Sequence, residues 1–179
     1  MVEFALIAPI FFLLVFGMLE YGMVFRDYLT VANTTRSGAR VASAGGKNVA
    51  ADYQILQSVK SASAALPSSS IVRIVVFRSD ATGVFNASCK AGTAVTNLAG
   101  TPGCNVYSAA DMSLTQAQLT TTGKSNFWAP TTRKDTQSGT GSDYIGVYIK
   151  VDHPMITKLF GTTFSLTDNT IMRIEPNFA

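Results

Sequence analysis

Residues 4–19 read FALIAPIFFLLVFGML, sixteen residues without a charge. Glu20 interrupts the run. Apolar character resumes through Tyr21, Gly22, Met23, Val24 and Phe25, and the polar step Arg26-Asp27 ends it. A helix needs about 20 mostly apolar residues to cross a bilayer, at about 1.5 Å of rise per residue. Residues 4–25 are long enough on that count. A secretory signal would carry a basic start, a shorter apolar stretch and a small-residue cleavage site. Here Glu3 stands where a cation belongs, and no A-x-A triplet follows Phe25. The segment therefore reads as a membrane-spanning helix, not a cleaved signal.

Two acids in such a span need an account, because a charge deep in a bilayer costs about 2.5–3.5 kcal/mol on insertion scales. Glu20 lies near one end, where it can reach the interface or pair with Arg26. Glu3 lies at the other end. In an assembly that excludes lipid, both become buried carboxylates in want of a cation. Pro9 suits a first turn or a kink. Gly17 and Gly22 permit close helix contact, although their spacing is not G-x-x-x-G.

Beyond the span, Val24, Tyr28, Val31, Ala32, Thr35, Ala39 and Ala42 recur near helical spacing, and Arg36 and Arg40 share a face. Gly45-Gly46 reads as the stop, with Lys47 nearby. One helix of about 40 residues, roughly 60 Å long, is expected. Its first half suits lipid and its second half a protein surface. A second helix is predicted over 49–65, ended by Leu66-Pro67.

The remainder reads as a small β-rich domain. Residues 71–77 (IVRIVVF) and 144–151 (YIGVYIKV) have strand character. Residues 155–160 are expected as a short helix, and 163–166 with 170–175 as a hairpin turning at 167–169. Between the strands, 79–141 is rich in Thr, Ser, Gly, Asn and Ala, with a helical turn expected near 114–119 and a packing role for the lone Trp128. The predicted fold class is α+β: a long N-terminal hydrophobic helix packed on a small antiparallel sheet with long loops. One face of the sheet packs on helix and the other is wetter. Residues 1–46 form the helical unit and 47–179 the exported globular unit.

The 179 residues are 47% hydrophobic and 14% charged, against about 25% charged in typical soluble domains, so the chain is not disordered. A net charge of +3 does not point to nucleic acid. Cys89 and Cys104, an even pair beyond a membrane helix, are expected to form one disulfide, the alternative being two free thiols. Two cysteines and one histidine make no metal site, and no cofactor motif is present. His153, followed by Pro154, reads as structural or exposed. The loop Gly139-Thr-Gly-Ser-Asp143 lacks the Lys of a phosphate cradle, and the chain has no nucleophile elbow, P-loop or H-E-x-x-H. No enzymatic activity is expected.

Val2-Glu3-Phe4-Ala5-Leu6-Ile7-x-Pro9 resembles the start of the TadE-like pilin and pseudopilin family, from the tight-adherence (Tad/Flp) branch of type IV pili. Leu19-Glu20-Tyr21-Gly22, the Arg26 region and Arg36-Ser-Gly-Ala-Arg40 fit the same helix. Near the far end, Val147-Tyr-Ile-Lys-Val151, His153-Pro154, Leu159-Phe-Gly161 and Met172-Arg-Ile-Glu175 resemble the family's C-terminal strands. The resemblance implies a precursor cut by a membrane-embedded prepilin peptidase ahead of Met1, with Glu3 just downstream of the cut. It implies extraction from the inner membrane by an assembly platform and growth of a homo-polymeric helical filament on the cell surface, with an adhesive role.

In that setting Phe4, Leu6, Ile7, Pro9, Phe11, Leu14, Gly17 and Gly22 would pack the filament core. Glu3 would meet a neighbour's N-terminal ammonium, an attraction of about 4 kcal/mol at 4 Å and an effective dielectric near 20, before desolvation is subtracted. Glu20 and Arg26 would form a second contact between subunits. Two other readings stand beside the filament subunit: a minor pseudopilin supporting assembly, and a membrane-anchored binding protein that never polymerises. Glu3 separates the last, since a plain anchor has no use for an acid there.

Overall fold

The computed structural model describes residues 2–80, 82–135, 141–158 and 161–176; the side chains at 2, 3 and 5 fall outside the description. The Glu3 side chain, the expected helix at 159–160 and residues 139–140 of the 139–143 loop therefore lie outside the described residues.

Helix α1 runs unbroken over Val2–Gly45, with Pro9 inside it. Gly46 stops it at a φ of 48°, a left-handed conformation that glycine adopts at no steric cost. Lys47 then pairs with Asp135 at 2.8 Å. The two halves of α1 differ as the hydropathy predicts. Large side chains from Phe4 to Leu19 stay exposed, whereas Val24, Val31, Ala39 and Ala42 are buried against the rest of the chain. Tyr28, expected on that inward stripe, is instead 43% exposed.

Helix α2 (Ala51–Ala62) folds back on α1 and buries Ile55, Leu56 and Val59. A four-stranded antiparallel sheet follows, built from β1 (Ile71–Ser79), β2 (Cys104–Tyr107), β3 (Tyr144–Pro154) and β4 (Thr163–Arg173), in the order β2-β1-β3-β4. Helix α3 (Ala87–Ala91) precedes β2 and helix α4 (Gln116–Thr121) follows it. Ile74, Val76, Ile145, Val147, Ile149 and Val151 share a core with α1 and α2. Gly38 marks the closest approach of three elements: a Cβ there would lie 3.1 Å from a methyl of Val59 and 3.3 Å from one of Val147. The glycine between Arg36 and Arg40 thus sits where α1 meets α2 and β3.

Three expectations are corrected. The hairpin expected at 167–169 is absent, because β4 is one strand that pairs with β3 from Tyr144↔Arg173 to Pro154↔Thr163. Asp168, read as a turn residue, instead accepts a hydrogen bond from Thr35 Oγ1 at 2.5 Å, so a tertiary contact overrides the local turn signal. No helix forms at 155–158, which together with 161–162 belongs to the real β3–β4 connection. The far face of the sheet is wet only along β4, where Ser165, Thr167 and Asn169 are exposed, and is covered over β1 and β2. Val75, Phe77, Cys104 and Tyr148 pack there with Cys89, and Phe85 stacks on Phe77 at 3.9 Å between centroids. Gly146 makes room for the Phe77 ring, which would lie 2.2 Å from a Cβ. The Cys89–Cys104 disulfide, 15 residues apart in sequence, ties this cover to β2.

The long segment between β1 and β3 is organised around one buried carboxylate. Asp52 on α2 accepts hydrogen bonds from Arg133, from Asn105 Nδ2 at 2.7 Å and from the Tyr107 phenol at 2.6 Å. The Arg133 guanidinium lies 4.5 Å from the centre of the Trp128 ring, and neither side chain is exposed. Burial, and next the Asp52 charge, push the Tyr107 phenol well above its usual pKa, so it stays a donor. At the rim, burial works against the charge of Asp111, but the bonds from Lys124 and Ser108 win and hold its carboxyl below the usual range. Removing one member of a buried ion pair strands the other. Asp52→Ala should therefore cost about 3–5 kcal/mol, read as a lowered midpoint in thermal unfolding of the full chain in detergent. A midpoint close to the parent's would show that the carboxylate does not organise this segment.

Candidate functional site

The site is α1 itself, together with the elements that grip it. From Phe4 to Leu19 the helix carries its apolar side chains into open surroundings: Phe4 is 76% and Met18 74% exposed. Phe12 stacks on Phe16 at 6.1 Å and meets Phe11 edge-on at 5.7 Å, so aromatic rings run along the free helix. Leu6, Ile7, Phe11 and Leu14 are exposed, as is Pro9. Gly22 has open space where a Cβ would stand. An apolar surface this extensive on a helix that protrudes from its own domain is a surface that lipid or other helices must cover. The segment 6–45 contains a stretch long and apolar enough to cross a membrane.

The free and gripped parts of α1 meet at Glu20, which is 1% exposed. Its carboxylate accepts three hydrogen bonds from the β3–β4 connection: Ile156 N–H at 2.5 Å, Thr157 N–H at 3.0 Å and the Thr157 hydroxyl at 2.7 Å. An isolated buried carboxylate would be costly, and these donors replace the water it has lost. Two turns further on, Asp27 Oδ2 lies 2.7 Å from His153 Nδ1, and Asp27 Oδ1 accepts from Arg26 Nη2 at 2.9 Å. Thr35 bonds Asp168 and lies 3.2 Å from the Thr170 hydroxyl. Ser43 donates to the Arg173 carbonyl at 2.6 Å and accepts from Glu175 N–H at 3.0 Å. A polar seam thus runs up α1 at residues 20, 27, 35 and 43, beside the apolar stripe of Val24, Val31, Ala39 and Ala42.

Within one chain Glu20 and Arg26 do not meet. Glu20 is held by backbone amides, and Arg26 turns to its neighbour Asp27. Arg36 and Arg40 are exposed, and Cys89 and Cys104 are joined far from the free helix. Asp27, His153, Ile156 and Thr157 belong to the site and were not singled out for it from the sequence. The usable signal was the inward stripe itself: stepping back four residues from Val24 reaches Glu20.

The second ring nitrogen of His153 is buried without a hydrogen-bond partner among the described residues. No group of three or more His, Cys, Asp or Glu among the described residues is placed to hold a metal. One open groove on the β domain, lined by Arg78, Asp80, Thr101 and Asp143, already uses its cation, since Arg78 Nε donates to Asp143 at 3.1 Å.

Residues 1–40 match the family model described as TadE-like protein, the pilus-related structural family that the N-terminal residues resemble. The match covers the free helix, Glu20, Asp27 and Arg36, and stops short of α2 and the sheet. No curated protein and no solved structure matches the chain.

Glu20→Gln keeps the size of the side chain but puts an amide N–H₂ where two acceptor oxygens faced N–H donors. The 155–158 connection should loosen from α1 while the sheet persists. Amide hydrogen exchange checks this: protection at Ile156 and Thr157 should fall while that of β1 and β3 stays at the parent level. Unchanged protection at Thr157 would show that the connection holds without the carboxylate.

Proposed function

We propose that this chain is a structural subunit of a Tad-type pilus filament, polymerised through the free half of α1. The observation that carries the reading is the division of one unbroken helix into two surfaces: an apolar half that nothing among the described residues covers, and a half that forms part of the domain's own core. A helix with no covering surface of its own is stable in lipid or among copies of itself. Before assembly it stands in the inner membrane. A prepilin peptidase and an assembly platform are its processing and extraction partners. In the filament the α1 helices pack at the centre, and the β domains, with their Ser- and Thr-rich loops, coat the outside and carry adhesion.

The family match over residues 1–40 supports the pilus setting. Glu3, on the first turn of α1, is proposed as the register charge: a neighbour's ammonium satisfies it in the correct stagger, and a slipped subunit leaves it unpaired. Glu20 is already satisfied inside its own chain, so the weight of inter-subunit pairing shifts toward Glu3. The second reading is a minor pseudopilin of the same system. The size of the β domain favours it, because a main subunit of the Flp type needs little more than a helix.

Shearing cells and identifying the chain in the pelleted filaments tests the first reading. A chain retained in the membrane fraction and absent from filaments would favour the second. Glu3→Gln should deplete the sheared fraction while the protein stays folded and membrane-bound. Normal filaments from that variant would remove Glu3 from assembly.

A further inference from the structure

The connection between β3 and β4 grips α1 at a depth that the apolar segment cannot spare. Sixteen uncharged residues lie between Glu3 and Glu20, about 24 Å of helix. The hydrocarbon core of a bilayer is about 30 Å thick. The next turn, 20–25, is apolar enough to complete the span, yet that is the turn on which Glu20 holds Ile156 and Thr157. A bilayer of ordinary thickness therefore reaches the tip of the β3–β4 hairpin.

That tip has the surface of a membrane-interface contact. Ile156 is 69% exposed, and Phe164, which pairs with His153 across the hairpin, is 43% exposed. A single exposed isoleucine would need no explanation, but these two flank the level of α1 at which Tyr21 and Phe25 are also exposed. Tyrosine belongs at the boundary between acyl chains and headgroups. Irregular backbone is costly in lipid unless its polar groups are satisfied. Here the Ile156 and Thr157 amides are spent on Glu20. Arg26 and Lys158 are exposed cations at this level, the acids Glu20 and Asp27 are buried, and the partly exposed Asp152 accepts a hydrogen bond from Ser165 and lies 4.0 Å from Lys150.

We propose that the hairpin tip, residues 155–158 with Phe164, is a second membrane contact, seated beside α1 in the headgroup–acyl boundary of an anionic bilayer. The chain would then be held at two points, which fixes the tilt and rotation of the β domain above the membrane before assembly. The inference rests on the membrane-spanning part of the proposed function and does not need the filament.

The test uses the full chain with one added cysteine carrying an environment-sensitive fluorophore, at Ile156, at Phe12 in the free helix, or at Val72 on β1. The native cysteines are joined to each other, which leaves the added thiol to take the label. Each protein is placed in phosphatidylcholine–phosphatidylglycerol vesicles containing a nitroxide lipid labelled at a shallow acyl position. The Ile156 probe should show blue-shifted emission and quenching by the nitroxide, and the Val72 probe neither. Lys158→Gln should weaken both signals at Ile156. A quenched Phe12 probe with an Ile156 probe that behaves like Val72 would overturn the hairpin contact and leave the spanning helix intact. An unquenched Phe12 probe would overturn the spanning helix and the contact with it. A shift at Ile156 that vanishes on dilution into excess lipid would assign the tip to a second copy of the chain and also overturn it.

Discussion

The structure turns on the Glu20 carboxylate and the two backbone amides that receive it. One helix has to leave an apolar environment and become the central element of a folded domain without breaking. At the crossing point, a charge with no counter-ion would be expelled toward water and would drag the helix out of its packing. Amides from the β3–β4 connection hold the charge without neutralising it, as they do for anions at helix N-termini. Below this point nothing among the described residues covers the large apolar side chains of α1. Above it the helix shares a core with α2, β3 and β4.

The polar seam explains how a sheet stays registered on a helix over about 35 Å. Apolar packing alone tolerates small slides, because one methyl contact resembles the next. Glu20, Asp27, Thr35 and Ser43 each accept or donate at a defined point on β3, β4 or the connection between them. Their spacing of seven or eight residues is close to two helical turns, so the seam winds gradually round α1 as it climbs. A slide by one turn would strip the Glu20 carboxylate of its donors and part the His153 imidazole from Asp27.

Much of this was legible in the residues. The helix end at Gly45-Gly46, the inward stripe from Val24 to Ala42, and strands starting at Ile71 and Tyr144 follow from periodicity and β-branching. What was not legible depended on distant partners. Strand β2 reads CNVY, too short and polar to announce itself; its Asn105 is a core residue only because Asp52 and the Trp128 carbonyl receive its amide. The Thr167-Asp168-Asn169 triplet has turn composition but is held straight by β3 on one side and Thr35 on the other. His153 looked like a strand-end residue until α1 brought Asp27 against it. Glu20 was recognised as anomalous, but its partners are backbone groups, which leave no mark in a sequence.

This arrangement constrains how the molecule can move. The upper half of α1 contributes Val24, Val31 and Ala42 to the same core as the sheet, so the domain cannot stay behind while the helix slides out of lipid. A pull on either must be carried by the other through the seam and the stripe. The weak link is then not the long helix, with its continuous backbone ladder, but its lowest attachment. That attachment is three hydrogen bonds at Glu20, beside a connection of which Met155 reaches the core. In the proposed assembly, loss of lipid around residues 20–25 would change the surroundings of this attachment before it reached any other part of the domain.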